Sequence, residues 1–297
     1  MTGPIAILGQ GAWGTALGRT LVGAGAEVRF WRRGTGHEPL AGAALVISAV
    51  PAQATREVLS ALALPAGVPL VLTAKGFERG SLKLQSQVAA EAAPGHPVAV
   101  LTGPSFAADL VAGLPTAVTL ALAGPALGEA LQRSLSTPSL RPYLSEDVTG
   151  AQVGGAVKNV IAIACGAAIG AGLGQSARAA LMTRGFAEMT RLGVALGART
   201  ETLAGLSGLG DLALTACSEQ SRNYAFGVAL GAGTPAAVLL GDGRTYEGAA
   251  SAEPVAGLAA RLGVEMPIAD AVAELVAGTL SVAGAVDRLF NRPLRRE

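Results

Sequence analysis

From Pro4 to about Tyr143 the chain alternates short, nearly uninterrupted apolar runs with longer Ala- and Leu-rich stretches of helical texture. The runs are IAIL (5–8), AEVRFW (26–31), ALVISAV (44–50), VPLVLTA (68–74), HPVAVLT (96–102) and PTAVTLAL (115–122). A strand that is apolar along its whole length is buried on both faces, and such strands separated by helices form a parallel sheet covered above and below. The texture changes after SEDVTG (145–150). Long Ala/Leu/Gly segments follow as far as Glu297 with no convincing alternating strand, so this half reads as all helix. The pattern predicts an α/β fold: a doubly wound sheet over residues 1–147, then an all-helical domain over 148–297.

Composition narrows the function. Of 297 residues, 51% are hydrophobic and 14% charged, enough apolar material for two domains with cores of their own. The formal net charge is +1, from 22 Lys+Arg and 21 Asp+Glu, and no basic run is dense enough to follow a nucleic-acid backbone. A small-molecule ligand is expected, not nucleic acid. Cys165 and Cys217 lie in apolar stretches without metal-ligand spacing, which predicts two reduced structural thiols and a cytoplasmic setting. The opening MTGPIAILGQG lacks a basic segment before its short apolar run, so it reads as a first strand and not an export signal. The longest weakly polar stretches are interrupted by Pro115 and Pro125, or by Lys158 and several glycines, so no integral membrane segment is expected. With only His37 and His96, both in expected loops, no metal site can be assembled from histidines.

Gly9-Gln10-Gly11-Ala12-Trp13-Gly14 is a GxGxxG loop between the IAIL strand and the helical TALGRTLVGAG. In that context the glycines Gly9, Gly11 and Gly14 permit a tight turn, close approach of backbone to a pyrophosphate and close helix packing, and the helix N-terminus supplies N–H donors. This makes the first domain a Rossmann-type, dinucleotide-binding one. The second strand ends in Trp31-Arg32-Arg33, not in the Asp or Glu that binds a ribose 2′-OH. Guanidinium groups there suit a 2′-phosphate, which favours NADP(H) with NAD(H) still admitted; the other reading of Arg32 and Arg33 is two solvated surface arginines.

The candidate chemistry lies in the helical half. Lys158 is the one charge in VGGAVKNVIAIACGAAIG (153–170), and its helical neighbours Gly154, Gly155, Ile161 and Ala162 are mostly tiny, as if to leave room for a ligand. Desolvation should bring its pKa down into the range of a proton donor near neutral pH. The alternative is a lysine that reaches solvent or pairs with a carboxylate. Lys75, in VLTAKGF, follows a buried strand at the carboxyl edge of the sheet, where open α/β folds bind ligands. Asp211 follows a flexible glycine stretch in GLSGLGDL, and Ser221, Arg222 and Asn223 in SEQSRN combine hydroxyl, guanidinium and amide as a phosphate clamp would, or as a helix cap with a surface arginine would.

GQGAWGTA, TAKGF, LTGPSFA, GLPTA, GGAVKNVIAIACG, TRGFAEM, GLGDL with LT two residues on, SRN, Glu247-Gly248 and GVEMPI occur in that order along almost the whole chain. In these motifs the sequence resembles the NAD(P)-dependent sn-glycerol-3-phosphate dehydrogenase family of the bacterial biosynthetic type. The resemblance implies interconversion of dihydroxyacetone phosphate and sn-glycerol 3-phosphate, the latter for phospholipid synthesis. It implies that Lys158 exchanges the proton of the C2 oxygen, supported by Lys75 and Asp211. It also implies that Gly103, Ser105, Ser221, Arg222 and Asn223, with both lysines and Asp211, contact a phosphorylated triose. On the cofactor side it implies Gly9, Gly11, Ala12, Trp13, Gly14, Arg32, Arg33, Lys75, Ala107, Arg222 and Glu247. The sequence departs from the family where WRRGTGHEPLAGA (31–43) runs directly into ALVISAV, without the longer segment usual between the second and third strands. Two rival readings are a reductase of the same layout acting on a small 3-hydroxy acid, with Arg222 on its carboxylate, and a cofactor-binding sensor without turnover. The apolar helical half would accommodate a homodimer interface.

Overall fold

The computed structural model describes residues 3–291, so the outermost ends of the two expected domains, residues 1–2 and 292–297, lie outside the described residues. The first half runs β1 (Ile5–Leu8), α1 (Ala12–Gly23), β2 (Val28–Trp31), β3 (Leu45–Ser48), α2 (Thr55–Ser60), β4 (Leu70–Leu72), α3 (Gln85–Ala92), β5 (Val98–Thr102), α4 (Ala107–Val111), β6 (Thr116–Leu122), α5 (Pro125–Leu135) and β7 (Leu140–Ser145). The strands form one seven-stranded sheet in the order β2-β1-β3-β4-β5-β6-β7. The order reverses between β1 and β3, which opens a crevice beyond the carboxyl ends of those strands. Successive strand residues supply opposite faces: Ile5 and Ile7 join Leu17 and Leu21 of α1 in one core layer, while Ala6 and Leu8 join Leu59 and Leu70 in the other. Both layers are apolar, hence the continuous hydrophobic runs.

Two features of the sheet differ from the expected one. β6 pairs antiparallel to β5, and a seventh strand, LRPYLS, pairs parallel to β6. β7 is legible only with its neighbour in view. It is an edge strand with alternating buried and exposed residues, and Pro142, which has no N–H to offer a ladder, is tolerated at an edge.

The second half is helical throughout its described residues: α6 (Val148–Gly170), α7 (Gly174–Ala195), α8 (Thr200–Ala204), a π-helical turn (Leu206–Gly210), α9 (Asp211–Ala216), α10 (Arg222–Gly231), α11 (Ala236–Leu240), α12 (Glu247–Leu262), α13 (Pro267–Ala277) and α14 (Val282–Phe290). Asp147 starts α6, its carboxylate accepting from Gly150 N and from Arg199 N, both at 2.7 Å. α6 is the axis of this half. It is apolar on every side because other helices surround it, and the closest is α10: a Cβ on Gly166 would lie 2.1 Å from the Tyr224 carbonyl oxygen, and one on Gly227 2.1 Å from that of Ile163. Length and hydropathy alone would let α6 cross a membrane, so neither Lys158 nor the glycines disqualify it; 89% burial of its apolar window inside the protein does. Of the two thiols, Cys165 is buried as expected, whereas Cys217, at the end of α9, is exposed.

Candidate active site

Three charged side chains from distant parts of the chain meet at the carboxyl edge of the sheet. Asp211, the first residue of α9, is buried and accepts from Lys158 Nζ at 2.7 Å through Oδ1 and from Lys75 Nζ at 2.6 Å through Oδ2. Lys158 also donates to Thr215 Oγ1 at 2.7 Å, and Lys75 to the Gly103 carbonyl at 2.9 Å. An ammonium has three N–H donors. Each lysine spends two within the protein and has one left for a ligand, while the single carboxylate holds both cations in register.

Burial pushes the Lys158 ammonium down to about 8; the Asp211 charge holds it up against this, and Lys75 adds to the lowering. Burial alone would raise the Asp211 carboxyl, but the charges and hydrogen bonds of Lys158 and Lys75 outweigh it and hold Asp211 below the ordinary aspartate range. Lys158 is thus both a desolvated lysine and a carboxylate-paired one. The two readings left open by the sequence are two halves of one arrangement.

The small residues around Lys158 do not leave an empty space. A Cβ on Gly154 would lie 2.5 Å from the Ser207 carbonyl oxygen, and one on Gly155 2.7 Å from Thr102 Oγ1 and 3.5 Å from Lys75 Cγ. The glycines let the Asp211 segment and the Lys75 side chain come close to α6. Nor is the glycine stretch before Asp211 a flexible loop. Leu206–Gly210 forms the π-helical turn, and a Cβ on Gly208 would lie 1.9 Å from the Leu203 carbonyl oxygen, so the segment is pinned by packing.

Lys75 follows β4, with its backbone held on several sides. Its carbonyl accepts from Asn159 Nδ2 at 3.4 Å, the Gly76 carbonyl from Gln85 Nε2 at 3.1 Å and the Phe77 carbonyl from Gln53 Nε2 at 2.8 Å. Asn159 Oδ1 in turn accepts from Asn223 Nδ2 at 2.9 Å, and Asn223 Oδ1 accepts from the backbone N–H of Gly248 at 2.9 Å. Asn223 is therefore a brace between α6, α10 and α12 with one amide N–H to spare. Ser221 is the N-cap of α10, accepting from Tyr224 N at 3.2 Å, which keeps its O–H free to donate. Arg222 is exposed beside them. Ser105 Oγ donates to the same Gly103 carbonyl that receives Lys75, at 3.1 Å.

The residues expected on the cofactor side lie around the glycine loop, beyond the ends of β2 and β5 and at the start of α12. Gly9 adopts φ +99°, and a Cβ on Gly14 would lie 2.3 Å from the Gly9 carbonyl oxygen, so the loop turns tightly onto α1. Above Gly11 there is open space, and no side chain caps the N-terminus of α1. Its N–H groups thus face an uncrowded surface, which fits a pyrophosphate. Ala12 is exposed, and Trp13 and Ala107 are half-buried. Glu247 begins α12 and accepts from Ala52 N at 3.2 Å through Oε1, while its buried Oε2 has no hydrogen-bond partner among the described residues. Burial raises its carboxyl, against the Ala52 N–H and the Arg222 charge. A nicotinamide dinucleotide, whose amide and hydroxyl groups can donate and whose pyrophosphate accepts, fits an orphaned acceptor at Glu247 and unpaired backbone donors at the start of α1. Arg32 and Arg33 are exposed just beyond β2, and Arg33 Nη2 bonds Glu57 Oε1 at 3.1 Å.

Comparison with known proteins agrees in every part of the chain. A family model described as NAD-dependent glycerol-3-phosphate dehydrogenase C-terminus matches residues 147–287, and its N-terminal counterpart matches 4–39 and 36–127. The chain belongs to the NAD-dependent glycerol-3-phosphate dehydrogenase family. A glycerol-3-phosphate dehydrogenase [NAD(P)+] of Cereibacter sphaeroides is 53% identical over 310 aligned residues, covering 99% of this chain and 100% of that one. One from Sphingopyxis alaskensis is 50% identical over 321, covering 98% and 97%. The crystal structure of the glycerol-3-phosphate dehydrogenase of Coxiella burnetii superposes with a TM-score of 0.92 at 35% identity, covering 98% and 99% of the two chains. The two stretches of the N-terminal family match meet at residues 36–39, within the short connection between β2 and β3.

Two further residues of the site, Thr215 and Asn159, lie in motifs whose local pattern gives them no role. Thr215 stands one helical turn after Asp211, an i, i+4 spacing that places its hydroxyl beside Oδ1, to which it donates at 3.2 Å. Asn159 directly follows Lys158, and nothing local predicts that its amide would reach back to the Lys75 carbonyl.

Proposed function

We propose that this protein interconverts dihydroxyacetone phosphate and sn-glycerol 3-phosphate with a nicotinamide dinucleotide, NADP(H) or NAD(H). The observation that carries the reading is one buried carboxylate holding two ammonium groups, each with an N–H to spare. When bound, the nicotinamide supplies the hydride that reduces the C2 carbonyl carbon. Lys158 donates its free N–H to the C2 oxygen, stabilises the negative charge that grows there and transfers its proton to it; in the oxidative direction it takes that proton back. Lys75 directs its own spare N–H at the ligand oxygens. Asp211 and Thr215 fix where Lys158 points, so the donor is oriented before the substrate arrives.

Arg222, Ser221 and Asn223 hold the phosphate, with the guanidinium as the strong anchor, and the Gly103–Ser105 turn closes the opposite side. Gly9, Gly11, Ala12, Trp13, Gly14, Ala107 and Glu247 hold the dinucleotide, and Arg32 and Arg33 its adenosine side. Residues 1–147 supply most of the cofactor side and 148–297 most of the substrate and proton chemistry, with Lys75, Gly103 and Ser105 reaching the substrate from the first part and Glu247 the dinucleotide from the second. The setting read from the sequence is cytoplasmic, with glycerol 3-phosphate passing to phospholipid synthesis; the burial of α6 inside the protein fits a chain that does not use this helix as a membrane span.

The test is a spectrophotometric assay that crosses NADH and NADPH with dihydroxyacetone phosphate, dihydroxyacetone and small 3-keto acids. Oxidation of the reduced nucleotide with the phosphorylated ketone alone is the expected result. Preferential turnover of a keto acid would move the assignment to the hydroxy-acid reductases.

A further inference from the structure

We propose that Glu57 sets the choice between NADH and NADPH, acting as the ribose-side carboxylate that the end of β2 lacks. The inference rests on the reading of Arg32 and Arg33 as the adenosine-side cations. In an NAD-preferring Rossmann site an acid at the end of the second strand accepts from the ribose 2′-OH. Here that position reads Trp31-Arg32-Arg33. The fold brings a carboxylate to the cations that follow β2: Glu57, in the first turn of α2 after β3, bonds the Arg33 guanidinium at 3.1 Å on the side of the sheet where the strand order reverses.

Among the described residues Glu57 forms its ion pair with Arg33. Its neighbour Arg56 is taken up by Glu78, through two hydrogen bonds of 2.8 Å, and by Glu91 at 2.8 Å, so its guanidinium is turned to the Lys75 loop. The connection from β2 to β3 carries Arg32 and Arg33 as its only lysine or arginine residues, with exposed Glu38 further along. The backbone of Arg32 is folded into a turn by Thr35 Oγ1, which accepts from its N–H at 3.1 Å and donates to its carbonyl at 2.7 Å. A 2′-phosphate arriving at this ridge meets two guanidinium groups and one carboxylate. It must displace Glu57 from Arg33 and then lie beside it. A 2′-hydroxyl carries no charge and can donate to the Glu57 carboxylate while Arg33 stays in place. The same ridge therefore serves both nucleotides, with Glu57 taxing only the phosphorylated one.

Both partners are largely exposed, with side chains 76% and 70% accessible, so substitution here does not threaten folding. The test measures equilibrium binding to the free protein by titration calorimetry at low, fixed ionic strength, with NADPH, NADH, 2′,5′-ADP and 5′-AMP as probes. Glu57→Gln keeps an acceptor for Arg33 and removes the charge. It should tighten NADPH and 2′,5′-ADP by about three- to tenfold, the size expected of one screened unit charge beside a phosphate, and leave NADH and 5′-AMP no tighter. An unchanged ratio between the phosphorylated and unphosphorylated probes overturns the role of Glu57. Arg33→Ala separates this from failure of the underlying reading. If Arg33→Ala weakens 2′,5′-ADP while Glu57→Gln does nothing, the arginine reading stands and the Glu57 proposal fails; if Arg33→Ala and Arg32→Ala both leave 2′,5′-ADP unchanged, both fail together.

Discussion

Lys158–Asp211 and Arg33–Glu57 are ion pairs of similar geometry, 2.7 Å and 3.1 Å between nitrogen and oxygen, in very different surroundings. The side chains of the first are 7% and 1% accessible, those of the second 76% and 70%. Burial makes the first pair indispensable. Removing the Asp211 charge would leave both ammonium groups unpaired in a poorly solvated interior, and Lys158 is brought to about 8 by the same desolvation that makes its position expensive. Water on the second pair makes it nearly neutral to stability and free to rearrange around a ligand. On the proposed reading, the chemistry sits where the protein controls the proton, and selectivity where the ligand can still compete.

The largest effect is expected from Lys158→Ala. Turnover should fall by roughly 10²–10⁴-fold, the range for loss of a positioned general acid, with cofactor affinity unchanged in a binding titration; retained turnover would remove Lys158 from the reaction. The wild-type pH profile carries the same claim. Reduction needs the ammonium, so kcat/KM for the ketone should fall as pH rises through about 8, and oxidation of the alcohol, which needs the free amine, should rise over that interval.

Asp211→Asn strands two ammonium groups around a neutral amide. We expect unfolding to become easier by about 3–5 kcal/mol in denaturant titration, as when one partner of a buried pair is lost, and the pH limit of reduction to move to lower values. Glu57→Gln, the matching change at the exposed pair, should leave the unfolding midpoint where it is. Equal destabilisation at the two places would mean that burial does not separate the two pairs.

Smaller effects are expected at the exposed cations. Arg222→Ala should raise KM for dihydroxyacetone phosphate about ten- to hundredfold, the worth of a charge-assisted hydrogen bond or two, and should abolish discrimination against unphosphorylated dihydroxyacetone. Reversing Arg32 and Arg33 to Glu should shift the NADH-to-NADPH preference severalfold toward NADH. A preference that does not move would mean that those arginines only solvate the surface.

The readable part of this site consists of residues whose neighbours in sequence are also their neighbours in function. The glycine loop works through its own backbone, so GQGAWG could be interpreted where it stands. Lys158 and Asp211 announced themselves as charges in apolar or glycine-rich settings. The errors came where a local pattern was given a local meaning. Gly154 and Gly155 suggested room for a ligand, yet the room is filled by Ser207, Gly208 and Lys75. The glycines before Asp211 suggested mobility and form a packed π-helical turn. Cys217 suggested a buried thiol and lies at the surface. β7 carries too few apolar residues to be seen without β6 beside it.

By itself the sequence determined the two-part architecture, the nucleotide loop and the family, because periodicity and motif order are properties of short stretches and survive without knowledge of what lies across the fold. Tertiary structure alone decided that Lys75 and Lys158 share one carboxylate, that the Asn159 and Asn223 amides tie α6 and α10 to the Lys75 backbone, and that Glu57 meets Arg33. Each of these joins residues between 24 and 136 positions apart. Electrostatic and hydrogen-bonding energies depend on separations of a few ångströms and on exclusion of water, and neither quantity exists until the chain has closed on itself.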